Sequence, residues 1–484
     1  MELKHKIAKG FLWLAAGAVL NEGLKFSSKI ILARLLQPAD FGLMALVLFI
    51  ITCISLFQEA GLENALIQRE GNIAEAANAV FMITPVIGIA LSFILFLASG
   101  SIASFYKDMN LSLMLKVVSP IFLIASFRTV QSGLLEKNLD FRSRFKAEIT
   151  AVTCYAAVSV SCAFAGLGAW SLIYGYLGSV LVTTIMLWIV SPWRPNFKFD
   201  YKIAKSLFSF GKHILGIGIV AFIFSQGDVA FIGRVLSKSQ VGYYVMAYTF
   251  ANITSVQITH MVARVLYPVF SSLQNDKKKL KDYFLQATKY LMAVVVPSTI
   301  GILVLSRHIP RLLGRQWDVP VMSQVLRILC FFAFFRSLHI ISSILLQAIG
   351  KPGAVTKLVF FQLIAMILLI YPFTSAFGII GTALTMALIL AVAGIWLFKR
   401  AGSLLGLGIE DISACFRIPL ISGIMMGLII TLFSLFLNGY RIGVQITVLV
   451  FSGAIFYFAG LYFLDRGIFK KGMSFFTAMF AKNM

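Results

Sequence analysis

Apolar stretches of about twenty residues, the length that crosses a bilayer as a helix, alternate with short polar turns along almost the whole chain. This pattern predicts fourteen membrane helices, near residues 10–36, 41–66, 77–100, 111–134, 147–164, 169–190, 207–235, 241–270, 284–306, 321–347, 355–373, 378–398, 414–437 and 443–463. The first, seventh and eighth carry charges, and an internal repeat supports them where hydropathy does not. ILARLLQPADFG, from Ile31, returns as FIGRVLSKSQVG, from Phe231, so that Arg34 falls on Arg234, Leu36 on Leu236 and Gly42 on Gly242. In each copy an apolar segment ends in an arginine, a polar turn follows, and a glycine opens the next segment.

Six helices separate the copies, an even number, so both halves enter the membrane in the same sense, related by an axis along the membrane normal. Two weaker matches run further along. GAWSLIYG from Gly168 parallels GIIGTALT from Gly378, and LLEKNLDF after the fourth helix parallels LLQAIGKPG after the tenth. The expected fold is an all-α polytopic membrane protein of about fourteen transmembrane helices. It comprises two pseudo-symmetric six-helix lobes, 1–196 and 197–400, and two further helices with a cytoplasmic tail, 401–484. No loop is long enough for a folded domain.

Composition agrees with membrane insertion. The 484 residues are 59% hydrophobic and only 13% charged, against roughly half and a quarter in soluble domains. The net charge of +23 would suggest nucleic acid in a soluble protein, but here the basic residues lie in short loops and read as the Lys/Arg excess of cytoplasmic loops. With the N-terminus inside, 25 Lys and Arg fall on the cytoplasmic side and six outside, so both termini are expected in the cytoplasm. Three of the six lie in RHIPRLLGRQW, read as a short interfacial stretch with an arginine face. MELKHKIAKGFLWLAAGAVL mimics a signal peptide, but is read as the start of the first helix because the Arg34 repeat needs that segment. The five cysteines lie in apolar segments without C-x-x-C spacing, so neither a disulfide framework nor a metal site is expected.

A charge inside a span costs about 2.5–3.5 kcal/mol on insertion scales and needs a partner, a wet cavity or a function. Glu22, Lys25 and Lys29, at i, i+3 and i+7, share one face of the first helix. Glu59 and Glu63 read as an i, i+4 pair in the second helix, and His260 and Arg264 as another in the eighth. Arg128 sits in the fourth helix, Asp228 and Arg234 in the seventh, Arg336 and His339 in the tenth. Arg34 and Arg234, near helix ends, read as snorkelling or loop anchors or as cavity residues. Lys25, Lys29 and Arg128 line a polar cavity or form static pairs. The carboxylates read as partners of these cations, and Asp228 also as a residue that couples transport to a cation gradient. Cations outnumber acids, which favours an anionic cargo such as a lipid-linked phosphate.

Catalytic signatures are missing: no G-x-x-x-x-G-K-[ST] loop, no H-E-x-x-H, no G-x-S-x-G. No enzyme activity and no cofactor are expected. ILARLLQPADFG followed by LFQEAGLENALIQRE, and later GRVLSKSQVGYY and LYPVFSSLQ, resemble the polysaccharide transporter family. These are the Wzx-type flippases of the multidrug/oligosaccharidyl-lipid/polysaccharide exporter superfamily, and the likeness is to their colanic and teichuronic acid exporter branch. The resemblance covers roughly residues 5–400. It implies a central cavity lined by helices 1, 2, 7 and 8, with the last two helices peripheral. It further implies flipping of undecaprenyl-pyrophosphate-linked oligosaccharide across the bacterial cytoplasmic (inner) membrane, for exopolysaccharide or lipopolysaccharide biosynthesis. Lys25, Lys29, Arg34 and Arg234 are the carried-over cavity cations. Membrane lipids, a polysaccharide polymerase and glycosyltransferases are the implied partners, with no nucleic acid. Two rival readings stay open: a cation-coupled multidrug exporter of the same superfamily, and a non-transporting scaffold of a polysaccharide synthesis complex.

Overall fold

The computed structural model describes residues 20–466 except 60, 70 and 197–199, and leaves aside the side chains of 59, 202, 208–214, 217 and 254–265. Every regular element described is helical. In chain order these are α1 (20–35), α2 (Pro38–Glu59), α3 (Leu62–Gln68), α4 (Ile73–Phe105), α5 (Met109–Val118), α6 (Ile121–Ser126), α7 (Thr129–Lys137), α8 (Phe141–Phe164) and α9 (Ala169–Val190). They continue with α10 (Tyr201–Val235), α11 (Lys238–Ser272), α12 (Lys277–Leu305), α13 (His308–Leu313), α14 (Pro320–Ala348), α15 (Pro352–Phe377), α16 (Ile379–Leu405), α17 (Ile409–Phe436) and α18 (Ile442–Leu464). A 3₁₀ turn, Arg315–Trp317, follows α13. Among the described residues, twelve helices are long and apolar enough to span a membrane. They match twelve of the fourteen expected helices. The other two are the first, which begins before the described residues, and α11, where the side chains of 254–265 lie outside the described residues.

Local chemistry sets the helix starts. Asp108, Asp140 and Asp276 cap α5, α8 and α12 by accepting from the backbone N–H of Asn110, Ser143 and Lys279, which satisfies amides that have no partner within the helix. Proline opens α14 and α15, where its missing N–H costs nothing.

Two expected helices are broken. Residues 41–66 divide into α2 and α3 because Gly61 takes a left-handed conformation, φ 68° and ψ 9°, which glycine reaches without a Cβ clash. Residues 111–134 divide at Pro120, which has no amide to donate, and again at Phe127–Arg128, where the Arg128 N–H bonds the Ala125 carbonyl in a tighter turn.

Contacts divide the chain into two compact units, Met1–Gly242 and Tyr243–Met484. In the first, α8 lies along α9, α4 packs on α5 and α6, α3 on α7, and α10 on α2, α3 and α4. Its core gathers Leu62, Leu66, Val80, Phe81, Val130 and Leu207. In the second, α14 packs along α16, α12 along α17, and α17 along α18, around Phe270, Phe284, Met292, Leu345 and Phe398. The last two helices are tied down by ion pairs, Lys281–Asp411 at 2.6 Å and Lys289–Asp465 at 2.7 Å. Around α13, Ile309, Leu313 and Trp317 are buried while Arg307, Arg311 and Arg315 are exposed.

The sequence repeats recur as backbone geometry. After α1 and after α10 the same turn forms. The Leu36 N–H donates to Leu32 O and the Leu236 N–H to Ile232 O, both at 2.8 Å. Gln37 N–H donates to the Asp40 carboxylate, as Ser237 N–H does to the Gln240 amide oxygen. Gly168 and Gly378, which open α9 and α16, share φ/ψ of 55°/−134° and 58°/−140°.

Candidate functional site

Glu22, Lys25 and Lys29 project from one face of α1, as their spacing requires. Lys25 Nζ is 2.9 Å from a Glu22 carboxylate oxygen, and these side chains remain 46% and 39% exposed. Lys29, one turn on, is half-buried, and Arg34 is exposed at the end of the helix. In a helix that crosses a bilayer, an ion pair left this open needs water beside it, because acyl chains would not solvate it.

The remaining charged residues do not all behave as the sequence suggests. Glu59 and Glu63 are not an i, i+4 pair on one helix: the Gly61 turn separates them, and Glu63 lies in the first turn of α3 against Gly133 of α7. The Glu59 side chain, with those of His260 and Arg264, lies outside the described residues. Arg128 sits at the break between α6 and α7 instead of inside a span helix. It has no hydrogen bond or ion pair among the described side chains, and its charge acts on the Tyr176 phenol. Against the adjoining Phe127, Phe81 packs with Trp188 and Trp193, and Trp188 Nε1 donates to the Phe127 carbonyl at 2.9 Å.

Asp228 is 2% exposed on α10, and its carboxylate accepts from the Val229 N–H at 2.8 Å. Arg234, at the end of α10, rests its guanidinium 5.2 Å from the centre of the Phe105 ring, a cation–π contact. Nearby, Lys238 Nζ donates to the carbonyls of Tyr106 and Gly233 at 3.0 and 3.3 Å. In the second unit, Arg336 of α14 donates to the Tyr248 hydroxyl of α11 at 2.8 Å, and His339 Nε2 is buried with no hydrogen-bond partner among the described residues.

Phe105, Tyr106 and Tyr248 are thus partners of cations that the sequence reading missed. An aromatic side chain on a distant helix gives no signal at the position of the arginine it meets. Among the described residues, no three His, Cys, Asp or Glu are grouped to hold a metal, and all five cysteines are free thiols.

Residues 31–322, more than half of the chain, match the family model described as polysaccharide biosynthesis protein. The chain belongs to that family. It is the Wzx-type flippase family, a family of membrane transporters and not of enzymes. Among curated relatives, the chain is 24% identical over 94% of its length to an uncharacterized membrane protein in the cps region of Klebsiella pneumoniae, covering 95% of that protein. It is 26% identical over 70% of its length to the lipopolysaccharide biosynthesis protein WzxC of Escherichia coli (strain K12), covering 69% of it. The fold is similar to that of the lipid II flippase MurJ in an inward closed conformation, with TM-score 0.74 and 15% identity over 93% of this chain and 98% of that one. This family member is therefore a multi-pass membrane transporter with a MurJ-like fold, related to polysaccharide and lipopolysaccharide biosynthesis.

Proposed function

We propose that the protein flips an undecaprenyl-pyrophosphate-linked oligosaccharide from the inner to the outer leaflet of a bacterial cytoplasmic membrane by alternating access. Two pseudo-symmetric six-helix lobes rock about a polar passage, both termini stay in the cytoplasm, and the prenyl tail remains in lipid while the headgroup crosses. The barrier being lowered is desolvation of a charged, hydroxyl-rich headgroup.

The observation that carries this reading is the exposed Glu22–Lys25 pair with Lys29 on the same face of α1. When the passage is empty, Glu22 holds Lys25; when pyrophosphate arrives, Lys25 and Lys29 replace part of its lost water, since cation–phosphate hydrogen bonds are among the stronger ones. Arg34 and Arg128 extend the positive lining. The hydrogen bond from Arg336 to Tyr248 supports a positioning role for that arginine.

The test is flipping of a labelled lipid-linked saccharide in vesicles reconstituted with the full chain, comparing wild type with Lys25→Ala/Lys29→Ala at matched abundance. Loss of flipping with retained folding is expected. Unchanged flipping removes both lysines from the mechanism, and no flipping by the wild type removes the activity.

A further inference from the structure

Between α2 and α4 lies a cleft of about 410 Å³, within the 300–1,000 Å³ usual for ligand pockets. Its walls are Phe49, Cys53 and Ile54 of α2 and Ile102 and Phe105 of α4, and α2 and α4 are both of spanning length and hydropathy. The lining has little that could hold a sugar or a peptide, so its occupant is hydrocarbon.

One end of the cleft is different. Phe105, a wall residue, carries the Arg234 guanidinium on its ring, and the adjoining Tyr106 carries the Lys238 amine 5.7 Å from its own. Lys107 follows, exposed. The nearby carboxylate, Asp108, is engaged as the cap of α5, accepting from the Asn110 N–H at 3.0 Å, and its charge also acts on Lys238. No carboxylate pairs with Arg234 among the described residues. An apolar slot ending in three cations and one occupied acid matches a molecule with a hydrocarbon chain and a phosphate, which a guanidinium binds through paired N–H groups.

We propose that this cleft binds an anionic membrane phospholipid, with one acyl chain against Phe49, Cys53 and Ile102 and the phosphate at Arg234. The site is separate from the passage proposed for cargo: Arg234 lies on the Phe105 ring beside an apolar slot, and sugars would find few polar partners there. Such a lipid would brace the ends of α2, α4 and α10 against one another.

The experiment is native mass spectrometry of the purified full chain with phosphatidylglycerol or phosphatidylcholine of identical acyl chains. Phosphatidylglycerol should be retained about tenfold better, the scale of one charge-assisted contact. Arg234→Gln should erase that preference, and Cys53→Trp, which fills the slot, should lower retention of both lipids. Should the tryptophan variant fail to fold, Cys53 itself reports: in a chain with its other four cysteines changed to serine, phosphatidylglycerol should slow maleimide labelling of the thiol and phosphatidylcholine should not. Equal retention of the two lipids, or labelling indifferent to both, overturns the proposal. So does a preference for a prenyl phosphate over phosphatidylglycerol, which would assign the cleft to cargo. None of these results bears on Lys25 and Lys29, so the flipping proposal stands or falls separately.

Discussion

Gly42 and Gly242 meet backbone to backbone: a Cβ on Gly42 would stand 1.9 Å from the Lys238 carbonyl oxygen, and one on Gly242 would stand 1.9 Å from that of Pro38. The contact is reciprocal at the period of the repeat, so the two copies of the sequence signature pack against each other. Neither glycine has a positive φ, and space, not conformation, excludes a side chain. Gly42→Ala and Gly242→Ala should each destabilise by about 1–3 kcal/mol, the cost of overpacking, read as a lower melting temperature in detergent. Gly100→Ala, which meets nothing within 4 Å, should not destabilise.

Gly168 and Gly378 make the opposite demand. Their shared backbone conformation, near φ 55° with ψ close to −140°, lies where a Cβ is strained whatever the surrounding space. Alanine at either should cost roughly 1–3 kcal/mol. A melting temperature unchanged in both variants would show that the two turns do not hold this geometry.

Leu139 occupies the same turn as Gly350. In each, three hydrogen bonds repeat: N–H of 138, 139 and 140 to the carbonyls of 134, 136 and 135, and N–H of 349, 350 and 351 to those of 345, 347 and 346. Leu139 has φ 56° and Gly350 φ 73°. A left-handed non-glycine residue costs roughly 1–2 kcal/mol, partly offset by the greater entropy lost when glycine folds. Leu139→Gly should therefore be neutral or mildly stabilising and Gly350→Leu destabilising, measured by thermal unfolding of the pair.

His308 should make stability depend on pH. Burial, and then the Arg311 charge, hold its pKa below the ordinary 6.5, and Nδ1 is buried with no hydrogen-bond partner among the described residues. The unfolded chain takes up this proton first as pH falls, so stability is lost below about pH 6.5 and the loss levels out once the folded form also protonates. Melting temperatures from pH 7.5 to 5.5 should fall for the wild type, and less steeply for His308→Gln.

Length, hydropathy and repetition are properties of the chain itself, and they were legible because a spanning helix needs only enough consecutive apolar residues. Twelve of the expected helices, the face shared by Glu22, Lys25 and Lys29, and the equivalence of Gly42 with Gly242 could all be read from it. The division at Gly61 had a signal in the glycine, yet nothing in the sequence pattern stated that it would turn left-handed and part Glu59 from Glu63.

What only the tertiary structure decided is which partner each intramembrane charge meets. Arg234 finds Phe105 and Arg336 finds Tyr248, more than eighty residues away in sequence. Periodicity states which side of its own helix a residue occupies, whereas its solvent, ring or hydroxyl is set by how neighbouring helices pack, and in lipid that packing depends on close fit among many similar apolar surfaces.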